Sequence, residues 1–359
     1  MSLFGKKEIM ESLGVDIGTS SVKVVQLKKE KGKIILVTYG EVSLGAYAGL
    51  DIGQPVHLGD EKLIEAIQSL FKEAKVTCKE ASVSLDPASS YVSMITIPKV
   101  NDSELDAVIL LEARRYIPVP ITDVTLDWWH LPESGHKIDI NTRSLNIVIA
   151  AVKNETIETY SRVIKKLGLS DVDFEIEGFS IVRSTLQTTM QNNSGMFLCL
   201  DIGSQYSTVS LIRSHVVLDM NIIAHGSQES TTQLVRALSL PMKTAEETKR
   251  AFGYLGDKSN PYVSEIMELS SYPLFGEVVR LSLMYERKYN QTIEGVILSG
   301  GGARLPGVLE AYKKMVHIEA RIATPFDQVE VPAFLKEMID KLGPSYSVAV
   351  GLALKKLTS

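Results

Sequence analysis

Apolar positions along the chain fall into two kinds of pattern, short runs bounded by glycine, proline and charge, and longer stretches with helical spacing. "LGVDIGTSSVKVVQL" (13–27) predicts two strands joined by a tight turn, and "KIILVTYGEVSL" (33–44) a third strand. In "GDEKLIEAIQSLFKEAK" the residues Leu63, Ile64, Ile67, Leu70 and Phe71 recur at helical spacing. The strand "EASVSL" (80–85) stops at Asp86-Pro87. The pattern then changes to strand "YVSMITIP", helix "SELDAVILLEARRY", strand "VTLDWWHL", polar turn "PESGHKIDINTR" and strand "SLNIVIAAV", which reads as an inserted module. Asn101 or Ser103 caps its helix, and Pro118 and Pro120 end it. A helix "NETIETYSRVIKKLGL", a strand "VDFEIE" and a crossing helix "GFSIVRSTLQTTM" return to the first lobe, and "QNNSG" links to the next.

There the opening pattern repeats. "LCLDIGSQYSTVSLI" (198–212) superimposes on 13–27 without a gap, Asp201 on Asp16 and Gly203 on Gly18, and "HVVLDMNIIAHG" supplies its third strand. Two copies far apart predict two related lobes, not a solenoid. The second lobe continues with a helix "SQESTTQLVRALSL" and a helical insert running from "TAEETKRAFGYLG" to "LFGEVVRLSLMYERKY". A buried strand enters glycines in "IEGVILSGGGARLPG". A helix "GVLEAYKKMV", a short β region and a helix "SYSVAVGLALKKL" follow.

Length agrees with two lobes, since 359 residues exceed what one simple core organises. The net charge of −5 argues against a nucleic-acid binder with a broad basic face. Cys78 and Cys199 are far apart in apolar or strand-like context and are expected to be buried free thiols, which fits a reducing cytosol. "MSLFGKKEIM" has charge without an apolar run, so no signal peptide is read there. The longest apolar run, "LNIVIAAV", is strand length, so no direct membrane span is expected.

The chemistry lies in the repeats. A backbone that approaches an anion closely needs glycine and small residues, whose N–H groups form an anion-binding concavity. Gly18, Thr19, Ser20 and Ser21 supply this in the first copy, and Gly203, Ser204, Ser207 and Thr208 in the second. Asp16 and Asp201 stand just before the turns, where they can hold a hydrated Mg²⁺ between them. Lys23 adds a point charge for phosphates. Asp and Gly also punctuate ordinary hairpins, but two register-matched copies favour a polyphosphate pinched from both sides. Gly300, Gly301 and Gly302, with Arg304 after them, form a glycine-rich strand-to-helix turn against which a flat base or an α-phosphate can lie.

In that chain order the three elements resemble the phosphate-1, phosphate-2 and adenosine motifs of the actin/Hsp70/sugar-kinase ATPase superfamily. "EGFSIVRS" and "GPSYSVAVGLAL" resemble its two hinge segments, and "TAEETK" the A-E-x-x-K helix of bacterial actin-like proteins. That resemblance places Glu246 and Lys249 at the ribose and adenine edge; a solvated i,i+3 ion pair is the other reading. It also suggests Glu177 as a water-orienting catalytic residue, against a charge that merely ends a strand. The inserted module is similar to subdomain 1C of FtsA-like proteins. "EARRYIPVPITDVTLDWW", with the "FGKK" start, resembles the PilM family of type IV pilus assembly proteins.

The resemblance implies an α/β fold, the actin-like two-lobe ATPase fold of two ribonuclease H-like lobes with an FtsA-like 1C (strand-helix-strand-strand) insertion. Subdomain 1A would comprise 11–88 and 152–190, 1C 89–151, 2A 196–240 and 290–359, and helical 2B 241–289. It implies ATP and Mg²⁺ as cofactors, with slow or partner-dependent hydrolysis at most. The implied role is a cytoplasmic adaptor, peripheral at the inner face of the inner membrane, that binds the short N-terminal cytoplasmic peptide of PilN. PilO and the pilus motor ATPases would be reached through the same platform. The partner groove is expected between the first lobe and the inserted module, with Leu110, Arg114, Tyr116 and Ile117 as candidates. For Leu110 and Ile117 a core position, and for Arg114 a solvated one, is the competing reading. Trp128 and Trp129 are adjacent on a strand and are expected to face opposite sides.

Three other expectations compete. A filament-forming, FtsA-like division protein is one, though FtsA proteins continue into a membrane-binding helix whereas this sequence stops at "KKLTS". A sugar or acetate kinase would need an acceptor site that no motif supplies. The cytoplasmic half of a type II secretion platform would carry a transmembrane helix in the same chain.

Overall fold

The computed structural model describes residues 10–131, 144–186 and 195–358. The "FGKK" start, the polar turn at 132–143, the end of the crossing helix at 187–190 and most of the linker lie outside them.

Strands β1 (Met10–Ile17), β2 (Ser21–Glu30) and β3 (Lys33–Ser43) form an antiparallel meander. A short helix α1 (Gly45–Ala48), helix α2 (Asp60–Glu73) and strand β4 (Glu80–Leu85) follow. The inserted module is β5 (Ser90–Pro98), α3 (Asp102–Ala113), β6 (Val124–His130) and β7 (Ser144–Lys153). The chain returns through α4 (Asn154–Lys166), β8 (Ser170–Ile176) and α5 (Glu177–Thr185). The second lobe has β9 (Met196–Ile202), β10 (Ser207–Arg213), β11 (Val216–Ile223) and helices α6 (Ser227–Leu238), α7 (Met242–Phe252) and α8 (Tyr262–Tyr289). It closes with β12 (Ile293–Ser299), α9 (Val308–Met315), β13 (Ala320–Ile322), α10 (Lys336–Leu342) and α11 (Ser347–Thr358).

The first sheet runs β3-β2-β1-β4-β8, and the second-lobe strands run β11-β10-β9-β12-β13. These are one topology used twice: three antiparallel strands, then two added in parallel on the far side of the first. The repeat seen in the sequence is therefore a repeat of architecture. In the first lobe, Leu63, Ile67 and Leu70 of α2 pack with Val163 and Ile164 of α4 on one sheet face. The other face is covered by α11, whose Ala349, Val350 and Ala353 meet Val25 and Leu27. α5 does the reciprocal, burying Ile181 and Val182 with Leu198 and Leu211 of the second lobe. The crossing helices touch so closely that a Cβ on Gly351 would overlap the Ser180 carbonyl.

The inserted module extends the second-lobe sheet, which continues β11-β5-β7-β6. β5 and β7 pair from Ser90↔Val152 to Pro98↔Ser144, whereas β11 meets β5 through one pair, Asp219↔Ser93. Asp219 is also approached by Lys288 at 3.4 Å and by Asn221 at 3.2 Å, so this junction is polar. The module's sheet buries Ile95, Ile97, Ile147 and Ile149 under α3 on its outer face. On its inner face Trp129 packs edge-on against Phe179 of α5, with ring centroids 5.1 Å apart. Trp128 points to the α3 side and donates through Nε1 to Asp106 at 3.1 Å, so the two tryptophans do face opposite ways.

Helix α10 stands where only a short β region was expected. It is seven residues long and buries Ile339 alone, too little for periodicity to register. Cys199 is buried and Cys78 only partly so; both are free thiols.

Candidate functional site: a cleft between two hairpin tips

The tips of the β1–β2 and β9–β10 hairpins open on one cleft between the lobes, lined by Asp16, Gly18, Thr19, Ser20 and Lys23 from one side and Asp201, Gly203 and Ser204 from the other. The first tip is closed by Gly18 N–H donating to the Ser21 carbonyl at 3.1 Å. At the second, a Cβ on Gly203 would lie 2.5 Å from the Tyr206 carbonyl, so only glycine allows this turn. The helix α6 N-terminus backs it, with Ser227 N–H on the Gly203 carbonyl at 2.9 Å. Gly300 has φ +86°, and a Cβ there would come 2.8 Å from Asp201 Oδ1. Glycine thus lets the third turn lie directly against the second-lobe carboxylate.

Gly300, Gly301, Arg304, Glu246, Lys249 and Glu177 also line the cleft. Three predicted residues, Gly302, Thr208 and Ser207, do not. Gly302 packs on the Ile202 side chain, leaving no room for a Cβ. Thr208, the equivalent of Lys23, pairs with Asp201 across the ladder but is buried away from the cleft wall. The Ser207 hydroxyl is spent on the His225 carbonyl at 2.7 Å.

The carboxylates of Asp16, Asp201 and Glu177 meet at the cleft. Burial pushes the Asp16 carboxyl above its ordinary range, although Lys23 and Ser84 pull it down. Burial likewise raises Asp201 to about 6, against a hydrogen bond from Ser299. Glu177 is raised well above the usual carboxylate range by burial and by the charges of Asp16, Asp201 and Asp86. Burial dominates in all three, Asp16 adds to the shift of Asp201, and both add to that of Glu177, so a positive partner would relieve the group. Among the described residues no group of three or more His, Cys, Asp or Glu is placed to hold a metal directly. Asp16 and Asp201, one carboxylate from each tip, are a donor set that fits a hydrated ion taken through water.

Glu246 and Lys249 do not form a solvated pair. Lys249 Nζ is 2.7 Å from Glu246 Oε2, with side chains 4% and 7% exposed. Thr231 Oγ1 donates to Glu246 at 2.7 Å, Arg250 Nε does so at the same distance, and Lys249 Nζ also reaches the Ser227 carbonyl. Burial lowers Lys249, while Glu246 is held low by Lys249 in spite of burial. Glu177 is the first residue of α5 rather than the last of a strand, and it is nine-tenths buried.

Other cleft residues were not singled out from the sequence. Glu41 pairs with Lys23 across the β2–β3 ladder, 3.6 Å from its Nζ. Burial raises the Glu41 carboxyl, but Lys23, Ser21, Arg304 and Arg250 outweigh it and hold it low. Counting back from the Lys31-Gly32 turn would set Lys23 opposite Gly40; a bulge between Gln26 and Leu27 shifts the ladder by one residue and brings Glu41 beside Lys23, which the sequence did not foretell. Tyr206 and Arg250 also line the cleft.

The partner-binding candidates are not gathered in the expected groove. Ile117 is 5% exposed in the module's core. Leu110, Arg114 and Tyr116 are exposed, but on the α3 side of the sheet, facing away from α5. The angle between α5 and the module is lined instead by Trp129, Phe179, Val182 and Arg183, with Val216 and Val217 from the second lobe. The sequence pattern could not foretell which sheet face α3 would cover.

The family described as "Type IV pilus assembly protein PilM" matches residues 14–357. The chain belongs to that family. A solved "PilM-PilN type IV pilus biogenesis complex" superposes with a TM-score of 0.80 at 22% identity, over 96% of this chain and 98% of that one. MreB5 of Spiroplasma citri bound to AMPPNP superposes with a TM-score of 0.55 at 11% identity, over 97% and 96%. The cell division protein FtsA of Pseudomonas aeruginosa is 22% identical over 393 residues, covering 95% of this chain and 88% of the relative. The fold of this PilM family member is thus that of the actin-like ATPases. Among the described residues no helix is long and apolar enough to cross a membrane.

Proposed function

We propose that this chain is a nucleotide-binding adaptor of the type IV pilus assembly platform, at the cytoplasmic face of the inner membrane. The cleft takes Mg-ATP, and the partner is the short cytoplasmic N-terminal segment of PilN. The observation that carries the reading is the family match from 14 to 357 on a chain whose two hairpin tips face each other across one cleft.

The backbone N–H groups at Gly18–Ser20 and Gly203–Ser204 would hold the phosphates, and Lys23 would add charge. Asp16 and Asp201 would hold the hydrated ion, whose charge neutralises the carboxylates that crowd here. Glu246, Lys249, Gly300, Gly301 and Arg304 would bound the nucleoside. Burial and the neighbouring carboxylates raise Glu177 well above the usual carboxylate range, and a cation held by Asp16 and Asp201 would oppose that shift; hydrolysis would be slow or partner-dependent at most. Only a closed form satisfies both tips, so the nucleotide biases closure. The PilN segment would lie in the angle between α5 and the module, where Trp129 and Phe179 offer apolar anchorage. The remaining platform contacts, to PilO and to the motor ATPases, would follow from docking on PilN.

Calorimetry with a synthetic PilN N-terminal peptide, in Mg-ATP, Mg-ADP and no nucleotide, tests this. Binding that changes with nucleotide is expected; no binding in any state overturns the adaptor role. The FtsA similarity supports a second reading, a filament-forming protein. Nucleotide-dependent pelleting of the chain alone would favour it.

A further inference from the structure

The β9–β10 tip holds the first lobe at two points. Ser204 Oγ donates to the Gly53 carbonyl at 2.9 Å, in the loop between α1 and α2. Two residues on, the Tyr206 hydroxyl donates to a carboxylate oxygen of Asp86. Burial and the neighbouring carboxylates Glu177 and Asp86 keep that phenol protonated and so a donor.

Asp86 is the root of the inserted module. Its Oδ1 caps Ala88 N–H at 2.8 Å. Its carbonyl accepts from Ser89 N–H at 3.0 Å and from the hydroxyls of Ser89 and Ser90. Ser90 is the first residue of β5. A single residue therefore fixes the turn from which the module springs, and the second-lobe hairpin tip grips that residue.

We propose that Tyr206 is a positioning residue through which occupancy of the cleft sets the orientation of the inserted module. The N–H groups and hydroxyl of Gly203–Ser204 turn toward a bound phosphate when the cleft fills. Any such movement pulls on Asp86 through the phenol two residues away. The module's one strand pairing to a lobe, Asp219↔Ser93, also belongs to the second lobe, while its contact with α5 is apolar packing that can slide, Val92, Val148 and Trp129 against Phe179 and Val182. The module therefore moves with the second lobe against α5, which alters the angle lined by Trp129 and Phe179. The inference rests on the adaptor reading for its purpose but not for its geometry.

The test is hydrogen–deuterium exchange on the full chain, read over peptides spanning 86–98, with and without saturating Mg-ATP. Wild type is compared with Tyr206→Phe and with Asp86→Ser, which keeps a cap for Ala88 but is too short for the phenol. In wild type, exchange at the root should differ between the two states. In both variants the two traces should coincide. A merely structural role would raise exchange in both states and leave the difference. Persistence of the difference in the variants, or its absence from wild type at saturating nucleotide, overturns the proposal. PilN-peptide affinity is measured on the same samples. A nucleotide-sensitive root with an insensitive peptide affinity would sink the switch and leave the Tyr206 coupling standing.

Discussion

Lys249 Nζ lies 2.7 Å from Glu246 Oε2, in a place where neither side chain reaches bulk water. A buried pair of this kind is costly to break and cheap to replace, because removing one partner strands the other charge. Lys249→Met should destabilise the protein by less than the about 3–5 kcal/mol of a fully stranded charge, because Arg250 and Thr231 still hold Glu246. The double variant Lys249→Met/Glu246→Leu should regain part of that. Thermal unfolding of the two, with a nucleotide-affinity measurement beside it, checks the prediction and separates stability from binding.

Asp16→Ala removes one of the two carboxylates at the hairpin tips. It also removes a charge that burial disfavours, so the fold should be retained. The expected result is loss of the Mg²⁺ dependence of ATP binding by calorimetry. Unchanged Mg-ATP affinity would dismiss the metal assignment.

The raised carboxyls make the cleft sensitive to pH. Asp201 sits at about 6, above its ordinary 3.8, so the folded chain binds more protons than the unfolded one between those values. Stability from this group is present below about 4 and is lost as pH rises through about 6. A cation competes with the same proton. Mg-ATP affinity should therefore fall as pH drops below about 6, and Asp201→Asn should flatten that dependence. Titration calorimetry from pH 5 to 8 reads both.

Two glycines in helices should respond in opposite directions to alanine. Gly351 lies under the Ser180 carbonyl, with no space for a Cβ. Gly351→Ala should cost about 3 kcal/mol through forced separation of the crossing helices. Gly276, in α8, has nothing within 4 Å of its Cβ position. Gly276→Ala should stabilise by about 0.5–1 kcal/mol. Unfolding midpoints of the two variants compare them.

What the sequence made legible was what it states locally or twice. The D-I-G turns repeat with their flanking strands, so both tips and their convergence were readable. The module's elements were readable from strand and helix periods. Long-range choices were not. Nothing local says that the module joins the second-lobe sheet through Ser93, or that α3 covers the face away from α5. Leu110, Arg114 and Tyr116 lie on the α3 side rather than in the angle with α5 for that reason. Thr208 and Gly302 fit their motifs by type, yet packing turned both from the cleft. Asp86 was visible only as the end of a strand, because its partner Tyr206 is far away in the chain.

The lone pair between β11 and β5 has a mechanical consequence. Inside the module, β5 and β7 are zipped along the whole of both strands, and each lobe's sheet is zipped in the same way. Under tension applied to the module, the Asp219↔Ser93 pair is the one backbone pairing to β11, and Val92, Val148 and Ala150 packed with α5 and Trp129 against Phe179 share the load. The pair can part and re-form without a strand being lost from either side, whereas the apolar contact must slide, and a pull on the module is felt at the nucleotide cleft through Asp86 and Tyr206.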